Sequence, residues 1–238
     1  MLPRMRSILC VALVMAALVA AKADYLVYVG TYTGAKSKGI YALRMNKEGK
    51  LSPLGLVAET PSPSFLAISP NQKYLYAVNE KNDGTVTAFW IEAGSGKLTL
   101  INEQPAHGSG PCHVSLDSNG KTVMVANYNS GSIAAYPVQK DGSLGEATTK
   151  IQHQGSSSNP QRQKGPHAHV IHPDPSNRYA LVCDLGLDKV LVYRLDAAKA
   201  SLTPNDPPFG TVKAGAGPRH LAFAPKGDFD QMGHRLRY

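Results

Sequence analysis

Residues 161–189 read QRQKGPHAHVIHPDPSNRYALVCDLGLDK, and they contain one copy of a unit that recurs through the chain. A proline turn opens each copy, and the four turns are SPSF at Pro63, GPCH at Pro111, GPHAH at Pro166 and GPRH at Pro218. These prolines are separated by 48, 55 and 52 residues. A period near 50 residues indicates a fold built from repeated supersecondary units.

Each copy consists of short strand-like runs separated by turn residues. The second copy contains HVSLDSNG, TVMVANYNSG and SIAAYPV; the first contains FLAIS, YLYAVNE, TVTAFWI and KLTLIN; the third contains HAHVIH, YALVCDLG and KVLVYRL. Four antiparallel strands in about 50 residues are typical of one β-propeller blade. We therefore predict an all-β propeller of four-stranded antiparallel blades, in preference to a β-sandwich or a β-helix.

Polar side chains recur at equivalent places in the copies. The first strand of each copy begins at Phe65, His113, His169 or His220. The second strand ends 14 or 15 residues later, at Asn79-Glu80, Asn127 and Asp184. Because the first strand of every propeller blade lines the central channel, we expect these polar groups to gather at one mouth of that channel.

The third copy also resembles a known family. Arg162-Gln163, KGPHAH and CDLGLDKV are similar to the RQxxPHxH…DLGxDKV pattern of the lactonase family of seven-bladed β-propellers, which includes 6-phosphogluconolactonases and carboxymuconate-cyclising enzymes. YVGTYT, YAVNE and GAGPRHLAF look like further motifs of that family, so the resemblance covers about residues 25–227. It implies an enzyme that hydrolyses or forms a small-molecule lactone at a polar site on the propeller axis, without a cofactor or a metal.

Lactone hydrolysis requires an activated water, a donor for the developing oxyanion and a proton for the leaving alkoxide. Histidine suits proton transfer near neutral pH, and arginine suits an anion. By the resemblance, the catalytic candidates are His113, His169, Arg162, Arg219 and Glu80. The substrate-binding candidates are His167, Asp184 and His220. Structural alternatives stay open: His113 and His220 could each cap a turn or bond a neighbouring blade, and Asp184 could satisfy turn amides.

The N-terminal residues are typical of a secretory signal. Arg4 and Arg6 precede an apolar run that ends in Ala-Lys-Ala. We expect residues 1–23 to be a signal peptide and residues 24–238 to be a partial propeller domain in the periplasm or outside the cell. The apolar run is too short for a stable transmembrane span, so no membrane span is expected after cleavage. An uncleaved anchor is the alternative.

Charge and cysteine content exclude few functions. The formal net charge is +8 without a run of lysine or arginine, so a solvated surface is favoured and no nucleic-acid partner is expected. Cys112 and Cys183 each lie in a strand motif, and buried free thiols are preferred over a disulfide. The sequence has no zinc-type ligand spacing.

The length of the chain fits only part of a seven-bladed ring, which requires about 350 residues. Residues 25–57 hold three strand-like runs without a leading first strand, and the fourth copy loses the pattern, with His234 where asparagine is expected. We expect a truncated copy of a longer propeller, with about four blades in an open arc. The alternative is a four-bladed ring in which residues 219–224 pair with residues 25–31. Competing functions are a non-catalytic binding propeller and an inactive fragment.

Overall fold

The computed structural model describes residues 25–224, and these residues form β-strands and connecting loops with no helix. The strands are β1 (Tyr25–Val29), β2 (Gly39–Met45), β3 (Leu51–Glu59), β4 (Leu66–Ile68), β5 (Tyr74–Asn79), β6 (Thr85–Ile91), β7 (Leu98–Pro105), β8 (Pro111–Leu116), β9 (Thr122–Asn127), β10 (Ser132–Pro137), β11 (Thr149–Gln152), β12 (Ala168–Pro173), β13 (Tyr179–Asp184), β14 (Lys189–Asp196) and β15 (Ser201–Thr211). Residues 25–224 therefore contain no helix that could cross a membrane. The predicted signal segment and His234 lie outside the described residues.

The strands form four antiparallel sheets, and each sheet follows the order of the chain. The first contains β1–β3, and the other three contain β4–β7, β8–β11 and β12–β15. The prediction of four-stranded antiparallel blades is confirmed for the last three sheets. The first sheet has three strands, because no described strand pairs with the free edge of β1.

The second strand of each complete sheet decides how the sheets pack. β5, β9 and β13 are apolar runs that are buried along almost their whole length. Alternate side chains of a strand point to opposite faces, so Val123 and Val125 pack against the second sheet while Met124 packs against the fourth. The sheets therefore stack face to face like the blades of a propeller. Full burial of each such side chain contributes about 1.5–3 kcal/mol.

A polar contact joins each complete sheet to the preceding one. In every case the last residue of the second strand bonds the residue that directly follows the last strand of the preceding sheet. The pairs are Asn79 with Thr60 (2.7 Å), Asn127 with Ala106 (3.0 Å) and Asp184 with His153 (2.7 Å). The strand-end polar residues noted in the sequence therefore hold neighbouring sheets together at one end of the arc.

The arc is open within the described residues, as expected. β1 pairs with β2 alone, and Tyr25 on it is 60% exposed. Residues 219–224, which the sequence predicts as a first strand, pair with no described strand. Leu221 and Phe223 pack instead on the apolar cluster of the fourth sheet. The four-bladed ring, in which residues 219–224 would pair with β1, is not formed.

We predict that Asn79→Ala lowers the free energy of unfolding by about 3 kcal/mol, because it leaves several buried polar groups without partners. Asn79 donates to the Thr60 hydroxyl and the Pro61 carbonyl, and it accepts from Thr85 and Thr87. Urea denaturation measures the change.

The matched control is Asn82→Ala, which removes an exposed amide from the turn that follows β5. It should change the free energy of unfolding by less than about 0.5 kcal/mol. Equal effects of the two substitutions would contradict a structural role for the hydrogen bonds of Asn79.

Gly186 allows a close backbone contact beside the proline turn of the fourth sheet. A Cβ atom there would lie 1.9 Å from the carbonyl oxygen of Gly165 and 2.9 Å from the amide nitrogen of His167. We predict that Gly186→Ala destabilises the protein by about 1–3 kcal/mol, since two backbone segments must move apart. Gly210→Ala, where a Cβ meets nothing within 4 Å, should be neutral or slightly stabilising. Urea denaturation of both variants tests the contrast.

Candidate active site

An open cavity of about 350 Å³ lies at the end of the arc where the first strands begin. It forms there because the start of each first strand lies beside the end of the second, as Pro111 pairs with Asn127. The cavity is lined by Tyr32, Ser64, Phe65, Glu80, Cys112, Tyr128, Arg162, His169 and Arg219. Four of the predicted site residues therefore line one cavity, and they are Glu80, Arg162, His169 and Arg219.

Glu80 follows β5, and two hydroxyl groups hold its carboxylate. Both Tyr32 and Ser64 donate to Oε2, at 2.8 and 2.5 Å. Burial and the hydrogen bond to Glu80 raise the pKa of Tyr32, so its phenol stays protonated at neutral pH. One oxygen of the carboxylate is thus fixed.

His169 and Arg219 form a hydrogen-bonded pair in the cavity. Nη2 of Arg219 donates to Nε2 of His169 at 2.5 Å. Because a guanidinium has no acceptor, the imidazole carries its proton on Nδ1, which is buried and has no hydrogen-bond partner among the described residues. Burial, the charge of Arg219 and His220 lower the pKa of His169 to about 4. His169 is therefore neutral at physiological pH.

Arg162 belongs to the loop between β11 and β12, and Tyr128 holds its guanidinium group at the cavity. Its Nη2 donates to the Tyr128 hydroxyl at 3.0 Å. The Tyr128 ring stacks on His167, with centroids 4.7 Å apart, and meets His169 edge to face at 5.7 Å. Nδ1 of His167 donates to the carbonyl of Tyr128 at 2.9 Å. His167 thus supports Tyr128 and is not among the side chains that line the cavity.

His113 is buried between two sheets and does not line the cavity. Its ring packs on Phe65, with centroids 4.2 Å apart, and its Nδ1 accepts from the amide of Ile171 at 3.5 Å. Burial lowers its pKa to about 3, with contributions from nearby histidines that include His172. The geometry corresponds to the structural alternative, a contact between neighbouring blades.

Asp184 is fully buried, and its carboxylate is already occupied. Oδ1 accepts from the amides of His167 and Gly186, at 2.7 and 3.0 Å. Oδ2 bonds Nδ1 of His153 at 2.7 Å, and Nε2 of that histidine bonds the Tyr193 hydroxyl at 3.0 Å. The structure therefore separates Asp184 from the cavity and places it in a buried network that joins the third and fourth sheets.

His220 lies beside the cavity, not among its lining side chains. Its side chain is exposed, and its ring lies nearly perpendicular to the ring of His169, with centroids 4.9 Å apart. His220 therefore contacts the His169–Arg219 pair from outside.

The cavity also contains residues that the sequence reasoning missed. Tyr32 in YVGTYT and Tyr128 in NYNSG each follow a strand that ends at the cavity, but neither motif by itself predicts a role for its tyrosine. Cys112 lines the cavity, and burial raises the pKa of its thiol to about 12, so it is no nucleophile at neutral pH. Cys112 and Cys183 are both free thiols.

The cavity therefore combines two guanidinium groups, one carboxylate and a neutral imidazole. Two guanidiniums suit an anion or an oxyanion, and a carboxylate beside open space can accept a proton from water. Residues 25–224 contain no group of three or more His, Cys, Asp or Glu side chains that could hold a metal ion.

We predict that acid destabilises the protein partly through His113. Its pKa is about 3 in the folded state and about 6.5 in an unfolded chain, so only the unfolded state gains a proton between these values. This contribution to stability is complete above pH 6.5 and falls by about 1.4 kcal/mol per pH unit as the pH drops toward 3. Urea denaturation at pH 7, 6, 5 and 4.5 measures the slope.

His113→Asn should have a shallower slope, since it removes the titrating group and keeps an acceptor for the amide of Ile171. His107→Asn, in an exposed loop, should retain most of the wild-type slope. Identical slopes for His113→Asn and wild type would show that His113 does not contribute.

The chain is similar in sequence to two curated proteins. It is 40% identical to the 6-phosphogluconolactonase of Bacillus subtilis over 205 residues, which are 85% of this chain and 57% of that protein. It is 32% identical to the 6-phosphogluconolactonase of Formosa agariphila over 208 residues, which are 85% of this chain and 59% of that protein. The chain thus spans less than three fifths of the length of these relatives.

A solved structure has the same architecture. The periplasmic gluconolactonase of Pseudomonas aeruginosa aligns with a TM-score of 0.79 and 37% identity, over 86% of this chain and 59% of that one. Residues 26–230 match the family described as Lactonase, 7-bladed beta-propeller. This match covers most of the sequence, and the chain therefore belongs to the Lactonase family of seven-bladed β-propellers.

Proposed function

We propose that the cavity binds and hydrolyses a small lactone with an anionic substituent, with 6-phosphogluconolactone as the substrate. The observation that carries this proposal is that Arg162, Arg219, Glu80 and His169 line one cavity although they come from different sheets and loops. The two relatives named 6-phosphogluconolactonase support the choice of substrate. A cavity of about 350 Å³ suits a ligand of sugar size.

The two arginines have different proposed roles. Arg219 is held by His169 at 2.5 Å and lies in the same cavity as the carboxylate, so we assign it to the carbonyl oxygen of the lactone. Arg162 lies on a loop, where its guanidinium group donates to the Tyr128 hydroxyl, so we assign it to the phosphate. Guanidinium groups bind phosphate and carboxylate through paired hydrogen bonds.

Glu80 is the proposed base. It takes a proton from a water molecule whose oxygen attacks the lactone carbonyl carbon, and Arg219 stabilises the resulting oxyanion. The bond from that carbon to the ring oxygen then breaks, and the alkoxide takes the proton from Glu80. The product is the open-chain hydroxy acid, and the side chain of Glu80 is again a carboxylate. His169, neutral at this pH, keeps Arg219 in place by accepting its hydrogen bond.

The roles proposed for the remaining candidates follow from their places in the structure. His113 and Asp184 are buried in contacts between sheets, which favours a structural role for both. His167 supports Tyr128, and His220 packs on His169. We therefore propose that these four residues hold the lining residues in place and do not contact the substrate.

We propose that the protein works outside the cytoplasm. The charged residues, apolar run and Ala-Lys-Ala series within residues 1–23 support this location. A structural relative is described as a periplasmic gluconolactonase. N-terminal sequencing of the protein recovered from the periplasm or the medium tests the proposal, and an intact Met1 would contradict cleavage.

We predict that Arg219→Ala lowers kcat/KM for 6-phosphogluconolactone by about 10²-fold or more, because the charge that stabilises the oxyanion is lost. Arg162→Ala should mainly raise KM for the phosphorylated lactone. It should leave KM for unphosphorylated gluconolactone almost unchanged. Arg194→Ala, on an exposed part of β14, is the matched control and should stay within twofold of wild type. The rate is measured above the spontaneous hydrolysis of each lactone.

The assay also separates the competing functions. Saturable binding of the phosphorylated lactone without turnover would support a non-catalytic binding propeller. If the folded protein neither binds nor hydrolyses the lactone, both the lactonase and the non-catalytic binding propeller are contradicted. Equal effects of Arg162→Ala on the two lactones would contradict the assignment of Arg162 to the phosphate.

A further inference from the structure

We infer that Asp188 is a positioning residue that fixes both cavity arginines through a single carboxylate. Arg162 and Arg219 lie on two irregular segments, residues 153–167 and 212–219, that have no strand of their own to hold them. Asp188 lies in the turn between β13 and β14 and bonds both segments. The relevance for catalysis rests on the proposed function, whereas the attachment of the two segments does not.

Each oxygen of the carboxylate accepts one hydrogen bond from each segment. Oδ1 accepts from Nε2 of Gln163 at 2.8 Å and from the amide of Gly217 at 2.7 Å. Oδ2 accepts from the hydroxyl of Ser157 at 2.5 Å and from the amide of Gly215 at 2.6 Å. The loss of either oxygen as an acceptor therefore loosens both segments at once.

These bonds lie close in sequence to the two arginines. Gln163 directly follows Arg162 and is only 2% exposed, and its Oε1 accepts from the amide of Asn159 at 2.9 Å. Gly217 precedes Arg219 by two residues, with only Pro218 between them. A fixed glutamine and a fixed glycine leave each arginine little backbone freedom, so its guanidinium group reaches the same place in the cavity.

The carboxylate is ionised, which strengthens its hydrogen bonds. Burial by itself would raise the pKa of Asp188, but the hydrogen bonds from Ser157, Gly217, Gly215 and Gln163 outweigh it and hold the pKa below the ordinary value. Hydrogen bonds to a charged acceptor are about twice as strong as those between neutral groups. The contacts are therefore strong enough to order loop segments.

The blade itself does not require a carboxylate at this position. In each sheet, the carbonyl of the residue that precedes the next-to-last strand accepts a hydrogen bond from the amide of the residue that follows the last strand. The four acceptors are Lys38, Gly84, Gly131 and Asp188. The other three sheets make the same backbone bond without an acidic side chain. The Asp188 carboxylate is therefore an addition to the fourth sheet, next to the two segments that carry the arginines.

The test replaces Asp188 with asparagine, which keeps the shape and removes one acceptor oxygen together with the charge. The NH₂ group faces one donor from each segment and cannot accept from the backbone amide. The matched control is Asp174→Asn. Asp174 is also buried and also bonds four donors within its own turn, but it follows the far end of β12, about 17 Å from His169.

Hydrogen exchange measured by mass spectrometry reads the two segments separately. We expect exchange of residues 156–164 and of residues 213–219 to rise together by about tenfold in Asp188→Asn, and neither to rise in Asp174→Asn. Trypsin should cut faster after Lys164 and after Lys213 in the first variant alone. If lactonase activity is present, Asp188→Asn should raise KM for 6-phosphogluconolactone more than it lowers kcat, because the anion site is displaced.

The outcomes distinguish the inference from the proposed function. Faster exchange in both segments without any detectable lactonase activity would support the attachment and contradict the function. For Asp188→Asn, wild-type exchange in both segments, or a rise in one segment only, would overturn the inference whatever the activity. If Asp188→Asn fails to fold, Ser157→Ala takes its place, and it should raise exchange of residues 156–164 by about threefold. Unchanged exchange in that variant would overturn the inference.

Discussion

The burial of both faces of the second strands is the constraint on which the structure depends. β5, β9 and β13 present apolar side chains to both sides, so no sheet can bury its own middle strand alone. Each sheet needs a neighbour on either face, and stacking is the arrangement that supplies both. The polar ties between the strand ends and the preceding sheet then align the stack at one end, because buried amide and carboxylate groups must find partners there.

The cavity is a consequence of that alignment. Stacking brings the starts of the first strands and the ends of the second strands to the same end of the arc. The side chains next to these strand termini line the cavity. Glu80 directly follows β5 and His169 lies in β12, whereas the two arginines lie on segments without regular structure. The segments that carry the two arginines are thus held by hydrogen bonds to side chains such as Asp188 and not by hydrogen bonds between strands.

The histidines show how burial separates residues of one type. His113 and His169 both lie near the start of a first strand, but their registers differ by one residue. His113 pairs with Ala126, as Val170 pairs with Cys183, whereas His169, like Cys112, is the unpaired residue just before that position. His113 is packed between sheets, and His169 lines the cavity. Burial is the largest cause of the low pKa of both. For His113 the low pKa results from burial of the imidazole between blades. For His169 it keeps the imidazole neutral, and so able to accept the hydrogen bond from Arg219.

The sequence alone determined the blades, their antiparallel strands and the end of the arc where polar groups gather, because these follow from a period of about 50 residues and from local strand and turn patterns. It also indicated Glu80, Arg162, His169 and Arg219. Only the tertiary structure decided that His113 and Asp184 are buried in contacts between sheets, since their burial depends on the residues that neighbouring sheets place beside them. The same holds for Tyr128, Gln163 and Asp188, whose partners lie on segments distant in sequence that meet only in the folded chain.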